Sequence, residues 1–395
     1  MSEKRIYLDY SATTPLRPQA REAMAPYLDE AFGNPSSIHS LGRDARVVVE
    51  DSRRRLAGIL GAADGRLVFT GSGSEADNLA VLGFARRRPD GCVIRSSVEH
   101  KAVVQATKAL QYGGYDVRVA PVDGRGVLDI EALGRLLPSD GRATLVSVMW
   151  ANNETGAVQP VERVAELCRA RGAVFFSDAV QAFGKLPLSL QDELSPHLVA
   201  LAAHKIGGPK GTGALFIREG VELEPLIYGG GQEGGLRSGT ENVAGLAGFA
   251  AAAAAATNEL ESEAARLSAL RDRLASGLRE TLPEIVVNAA DAAERLPNVL
   301  HISLPAVDIE GLLTSLDLEG ICVSSGSACT TGSVEPSHVM EAMGLEGDYA
   351  RNTIRFSLGW GTRAQDIEYV LETLPGIVRR VREFSGQPAP AEPAS

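Results

Sequence analysis

The stretch Leu198-Val-Ala-Leu-Ala-Ala203-His204-Lys205-Ile-Gly-Gly-Pro-Lys210-Gly-Thr-Gly runs an unbroken apolar segment into a lysine and then into glycine-rich backbone. An apolar run without polar alternation predicts a strand covered on both faces, as in sheets flanked by helices. Lysine seldom stands at such a junction unless its ammonium has a task, because desolvation lowers its pKa and turns the amine into a nucleophile. An exposed loop lysine is the plainer reading of these residues taken alone. They do not form a Walker loop, since Gly-Lys-Ser/Thr is absent at the required spacing.

The same texture extends on either side. Candidate strands are Leu67–Thr70, Val93–Ser96, Val117–Val122, Thr144–Trp150, Val174–Ser177, Leu198–Ala202 and Ala214–Ile217, with helices such as Glu75–Arg88 and Pro160–Arg171 between them. This βαβα alternation predicts an α/β fold whose seven-stranded sheet is mostly parallel. After Thr240 the pattern changes. Glu241 to about Glu280 is rich in Ala, Leu, Glu and Arg without proline, predicting one long helix or two joined end to end. A strand at Val299–Leu304, a helix at Ile309–Leu318 and a strand at Thr353–Leu358 then predict a smaller α+β domain.

The whole chain has 395 residues, 44% apolar and 23% charged, enough for two domains with buried cores. Its net charge of −11 argues against general nucleic-acid binding. The amino terminus has no apolar signal region, and the alanine-rich stretch Val243–Ala256 is too short and weakly apolar for a bilayer. Four cysteines without a CxxC pair and six histidines without HExxH indicate neither a disulfide framework nor structural zinc. A cytoplasmic location is therefore expected, with no membrane partner.

Two further stretches carry candidate chemistry. In Leu67-Val-Phe-Thr-Gly71-Ser72-Gly73-Ser74-Glu75-Ala76-Asp77, a strand meets a glycine-rich turn and a helix start, whose free N–H groups favour an anion. The spelling GxGxxA also resembles a dinucleotide fingerprint, and a plain turn with Ser74 capping the helix fits too. In Val174-Phe-Phe-Ser-Asp178-Ala-Val-Gln181, an acid ends a buried strand, where it could cap a helix or meet a cationic ring nitrogen. An anion site, an Asp at one strand end and a Lys at the next are together what pyridoxal phosphate requires. Gly229-Gly-Gly-Gln-Glu-Gly-Gly-Leu-Arg237-Ser238-Gly-Thr240 adds a second loop suited to phosphate.

The ordered motifs make the family resemblance specific. Tyr7-Leu-Asp-Tyr-Ser-Ala-Thr-Thr-Pro15, Phe32-Gly-Asn-Pro-Ser36, Val98-Glu-His100, Asn152-Asn-Glu-Thr-Gly156, Asp178-Ala-Val-Gln181, His204-Lys205, Arg237-Ser-Gly-Thr240 and Ser324-Ser-Gly-Ser-Ala-Cys329 follow one another along nearly the whole chain. The sequence resembles the class V aminotransferase family and, within it, the group I (NifS/IscS-like) cysteine desulfurases. The resemblance implies a fold-type I pyridoxal-phosphate transferase, with a large domain at 15–258 and a small one at 1–14 and 259–385, while the Pro/Ala-rich composition of 386–395 predicts a disordered tail. It implies pyridoxal 5′-phosphate as cofactor, L-cysteine as substrate and a homodimer. A protein sulfur acceptor, such as an iron–sulfur scaffold or a tRNA thiolation enzyme, follows as partner.

Position by position, it makes Lys205 the Schiff-base lysine and Asp178 the partner of the ring nitrogen. Gln181 and Asn153 would bond the phenolic oxygen, and His100 would stack on the ring and act as candidate base. Gly73, Ser74 and His204 would hold the phosphate, with Thr240 reaching it from the other subunit. Arg355, Asn34 and Asn153 would bind the substrate. Cys329, among small polar neighbours that predict a mobile loop, would take the sulfur as a persulfide and could transiently ligate a nascent iron–sulfur cluster. Ala202 stands where the family commonly has Ser, removing one hydroxyl from the phosphate site. A selenocysteine lyase, another class V transaminase or a non-catalytic sulfur-relay scaffold are the alternative readings of the same chain.

Overall fold

The computed structural model describes residues 5–62, 64–192, 194–325 and 336–386. Cys329, and nearly all of the segment expected to be a disordered tail, lie outside the described residues. A two-residue strand, β1 (Ile6–Tyr7), comes first, followed by β2 (Gly65–Thr70), β3 (Cys92–Ser96), β4 (Asp116–Ala120), β5 (Thr144–Ser147), β6 (Val174–Asp178), β7 (Leu198–Ala202) and β8 (Gly213–Arg218). These last seven form one sheet in the order β2-β8-β7-β6-β5-β3-β4. The β3–β4, β3–β5, β5–β6 and β6–β7 pairings are parallel, while β8 is antiparallel to both β2 and β7.

Side-chain alternation distributes the two faces. Leu198 and Ala200 of β7, with Leu215 and Ile217 of β8, pack under helix Gly73–Arg87. Val199, Leu201, Ala214 and Phe216 face the other way, toward helices Ser40–Leu60 and Val243–Asn258. Further along the sheet, Phe175 of β6 packs with Val164 and Cys168 of helix Val161–Ala170. A strand covered on both sides explains why β7 reads as apolar without alternation. The expected strand Thr144–Trp150 ends three residues early as regular strand, although Val148 and Trp150 still donate to Phe176 O and Asp178 O.

The expected helical stretch after Thr240 is two helices, Val243–Asn258 and Leu260–Thr281, meeting at 70°. No single helix among the described residues is long and apolar enough to cross a membrane. The smaller domain follows with β9 (Val286–Val287), β10 (Val299–Ser303), β11 (Ile321–Cys322) and β12 (Thr353–Ser357). β12, β10 and β9 form an antiparallel sheet, and β1 pairs in parallel with β11. Their core joins Ile6 and Leu8 to Leu274, Leu312, Ile354, Phe356 and Leu374, so the amino-terminal segment packs with the carboxy-terminal half of the chain.

Candidate active site

The carboxyl ends of the parallel strands and the start of helix Gly73–Arg87 meet at a cavity of about 340 Å³. This is where open α/β sheets hold ligands. Ser72 caps the helix, its Oγ accepting from Glu75 N at 3.1 Å, so the cap is Ser72 and not Ser74. Ser72 has the extended backbone that a cap needs, whereas Ser74 already lies inside the helix. Ser74 and Gly73 therefore sit in the first turn, where backbone N–H groups have no carbonyl of the helix to reach. A Cβ at Gly73 would lie 2.8 Å from Val180 Cγ2 and 3.3 Å from Ala202 Cβ, so only glycine leaves the cradle open. One at Gly213 would strike Ser72 C at 2.5 Å, which is why the turn can lie across β8.

Asp178 closes β6, with Oδ1 accepting from Val180 N at 2.9 Å. Among the described residues no lysine or arginine is salt-bridged to it. Burial pushes its carboxyl up, countered in part by His100 and Lys205. Asp77, one helical turn beyond Gly73, is buried beside it with Oδ1 unpartnered; burial, and then Asp178 and Glu99, push that carboxyl up as well. Asp77, His100 and Asp178 each bring a ligand-type atom within 4.8 Å of the others. A buried carboxylate at a strand end, lacking a cationic partner, suits a protonated ring nitrogen.

Lys205 follows β7, and its Nζ donates to Ser11 O at 2.5 Å and Ala12 O at 2.8 Å. Desolvation, then Arg355, lower its pKa to about 8, against the pull of Asp178 and Asp9. Desolvation and the neighbouring lysines lower His204 to about 4, so at neutral pH it is an uncharged imidazole, with Nδ1 3.2 Å from Thr13 Oγ1. His100 caps helix Lys101–Tyr112 through Nδ1, which accepts from Ala102 N at 3.2 Å. Gln181 donates from Nε2 to Ser11 O at 2.9 Å.

Arg355 reaches the cavity from β12, while its neighbours Ile354 and Phe356 point into the small-domain core. Its Nη1 donates to Asn153 O at 2.9 Å and its Nη2 to Asp9 Oδ1 at 3.0 Å.

Gly73, Ser74, His100, Asn153, Asp178, Gln181, Ala202, His204, Lys205 and Arg355 thus share one cavity. Two expected residues lie elsewhere. Asn34 is exposed and its Oδ1 accepts from Ser36 N at 2.9 Å, a local turn that holds the side chain away from the cavity. Thr240 lies beside a separate pocket lined by Gly71, Glu233 and Arg237. Glu75 joins the two regions, accepting from Gly71 N at 2.8 Å and from Arg237 Nε at 2.9 Å. Ser11, Ala12, Asp77 and Met149 also line the main cavity and had no role assigned from sequence. Asp77 was detectable in principle, being four residues after Gly73 and so on the same helix face.

The chain flanking Cys329 is tied to this site at both ends. On one side Arg355 N donates to Ser324 O at 2.7 Å. On the other, Ser337 Oγ donates to Glu154 Oε2 at 2.6 Å and His338 Nε2 lies 2.9 Å from Glu99 O. Glu154 and Glu99 directly follow Asn153 and precede His100. Burial raises both carboxyls to about 7, against hydrogen bonds from Ser337 to Glu154 and chiefly from Ser96 to Glu99.

Comparison with known proteins agrees with this geometry. Residues 6–370 match the model of the family described as aminotransferase class-V. A cysteine desulfurase IscS of Dictyoglomus turgidum is 41% identical over 385 residues, covering 97% of this chain and 97% of the relative. A solved NifS-like protein superposes with a TM-score of 0.89 at 36% identity, over 95% of this chain and 100% of that one. A structure described as SspA in complex with cysteine gives a TM-score of 0.77 at 32% identity, over 90% of this chain and 99% of its own. The mixed seven-stranded sheet with its smaller α+β domain is the fold-type I architecture of pyridoxal-phosphate transferases.

Proposed function

The chain belongs to the class-V aminotransferase family and, within it, to the cysteine desulfurases, and from that premise we propose how its residues divide the work of turning L-cysteine into L-alanine and a Cys329 persulfide. The observation that carries the proposal is the meeting of Lys205, Asp178 and Arg355 at one cavity with an open helix start. These residues fit pyridoxal 5′-phosphate. Gly73, Ser74 and His204 would hold the phosphate, Asp178 the ring nitrogen, Gln181 and Asn153 the phenolic oxygen, and His100 the ring face. When bound, this cofactor supplies an electron sink for the pair left at the substrate α-carbon.

The chain's own contributions follow from its geometry. Arg355 is a guanidinium at the cavity wall, suited to a substrate carboxylate. Lys205, with its lowered pKa, can take a proton from the α-carbon of cysteine and return one. Cys329 Sγ, as thiolate, attacks the substrate sulfur. The new S–S bond forms as the carbon–sulfur bond breaks, and the electron pair that stays on carbon is protonated to give alanine. A free thiol is only a few per cent ionised at neutral pH, so a base must assist; His100 is our candidate.

A homodimer is part of the proposal. Leu28, Phe32 and Ile38 are largely exposed along one short stretch, as is Tyr228 just before the glycine-rich loop, apolar side chains that a second copy would cover. In that arrangement Thr240 would serve the partner's site. We place the enzyme in a reducing cytoplasm, consistent with free Cys92, Cys168 and Cys322, and expect a protein sulfur acceptor such as an iron–sulfur scaffold or tRNA thiolation enzyme. Transient cluster ligation by Cys329 belongs to the same proposal.

The test is to load the purified protein with pyridoxal phosphate, add L-cysteine and a reductant, and assay alanine and sulfide together. Equal amounts of both are expected. Cofactor binding without sulfide would overturn desulfuration in favour of another class V reaction. A protein that takes up no cofactor would overturn the site assignment and favour a relay scaffold.

A further inference from the structure

Beside the main cavity lies a smaller one of about 50 Å³, lined by both Lys205 and a second lysine, Lys185. Lys185 Nζ donates to Gln181 Oε1 at 3.0 Å and to the backbone Gln181 O at 3.1 Å. The other end of the same amide donates from Nε2 to Ser11 O at 2.9 Å. Turning the amide over would set Oε1 against the Ser11 carbonyl and the NH2 group against the lysine N–H groups. Both hydrogen bonds would become repulsions between like partners. Gln181 is buried, so water cannot compensate.

We propose that Lys185 is a positioning residue that locks the Gln181 amide, so that Gln181 can present only an N–H donor to the cofactor oxygen it meets. The proposal rests on the assignment of Gln181 to the phenolic oxygen. Nε2 carries two hydrogens, of which Ser11 takes one and the second is left for the ligand. An unlocked amide could offer an oxygen there, which would repel a phenolate. The lock is strictest when Lys185 is charged and can only donate; beside a neutral amine, the Ser11 carbonyl still disfavours the turned-over amide. Burial and the nearby Lys205 and Arg355 lower Lys185 to about 7, yet the neutral amine retains two N–H groups for its two acceptors.

The test uses enzyme loaded with pyridoxal phosphate and follows the bound cofactor's visible absorbance against pH. Losing a donor to the phenolate makes the cofactor–lysine unit hold its proton more tightly. Lys185→Met is therefore expected to raise the midpoint by about one pH unit, the size of one hydrogen bond to a charged group. Lys185→Arg, which keeps donors, is expected to return most of that shift. In a Gln181→Ala background, Lys185→Met should add little, because the residue acts through Gln181. An unchanged midpoint in Lys185→Met would overturn the lock. So would an equally large shift without Gln181, which would mark a bare charge effect. Should Lys185→Met not fold, Lys185→Leu, which likewise lacks a donor, read the same way decides. Wild-type protein that binds no cofactor would instead refute the site assignment itself.

Discussion

Arg355 Nη2 lies 3.0 Å from Asp9 Oδ1, so a carboxylate of the amino-terminal segment holds the guanidinium that faces the cavity. Both side chains are largely buried, at 9% and 17% exposure, which shields the pair from solvent screening. Asp9→Asn keeps the shape but weakens this hold on Arg355. The expected outcome is a KM for L-cysteine raised roughly threefold to tenfold with kcat changed less, the scale of one charge-assisted hydrogen bond. Steady-state kinetics check it. A loss confined to kcat would place Asp9 in a different role.

Lys205 is lowered to about 8, and the neutral amine is the form that reacts with an aldehyde. Below the pKa the reactive fraction grows about tenfold per pH unit, and above it the fraction saturates. Stopped-flow uptake of pyridoxal phosphate by cofactor-free protein should therefore level off just above pH 8. A rise continuing toward pH 10 would indicate an ordinary, solvated lysine.

Asp178 is buried with its carboxyl pushed up by desolvation. A raised folded-state pKa stabilises the fold at pH below the unfolded value, and that contribution is lost as pH rises through the folded value. Asp178→Asn keeps an oxygen for Val180 N–H and removes the charge. Cofactor-free Asp178→Asn should thus melt higher than wild type at pH 8, with the gap closing toward pH 4, while desulfuration falls at least ~100-fold. Calorimetry and sulfide assays of the two proteins are the check.

Ala202 lines the cavity next to Gly73. Ala202→Ser supplies a hydroxyl where the family commonly has one, and one added hydrogen bond of about 1 kcal/mol corresponds to roughly fivefold in affinity. Equilibrium titration should give a tighter Kd for pyridoxal phosphate. Gly73→Ala should do the reverse, because its methyl group would meet Val180 and Ala202.

Much of the fold was legible because burial writes itself into composition. The sequence shows β7 with its bounds intact, Leu198–Ala202, since it is covered on both faces, and helix Ile309–Leu318 likewise. Two-residue strands such as β1 and β11 were not, because Ile6–Tyr7 and Ile321–Cys322 are too short to show a period and pair across more than 300 residues. Lys205, Asp178 and Arg355 were legible from strand ends and motifs. Lys185 is not, since a lysine in a turn looks like a surface residue until packing half-buries it, and Asp77 shows only through its spacing on the Gly73 face of its helix. Asn34 is the converse case: its motif is present, and in the single chain its Oδ1 accepts from Ser36 N in a local turn.

The most direct measurement compares wild type with Cys329→Ser, both loaded with pyridoxal phosphate and given L-cysteine without reductant, followed by intact and peptide mass spectrometry. Wild type is expected to carry one added sulfur on the peptide containing Cys329 and to release an equal amount of alanine. Cys329→Ser is expected to keep the cofactor absorbance but gain no sulfur and release no sulfide. Sulfide release by Cys329→Ser, or added sulfur on Cys92, Cys168 or Cys322 instead, would contradict the assignment of Cys329 as the sulfur acceptor.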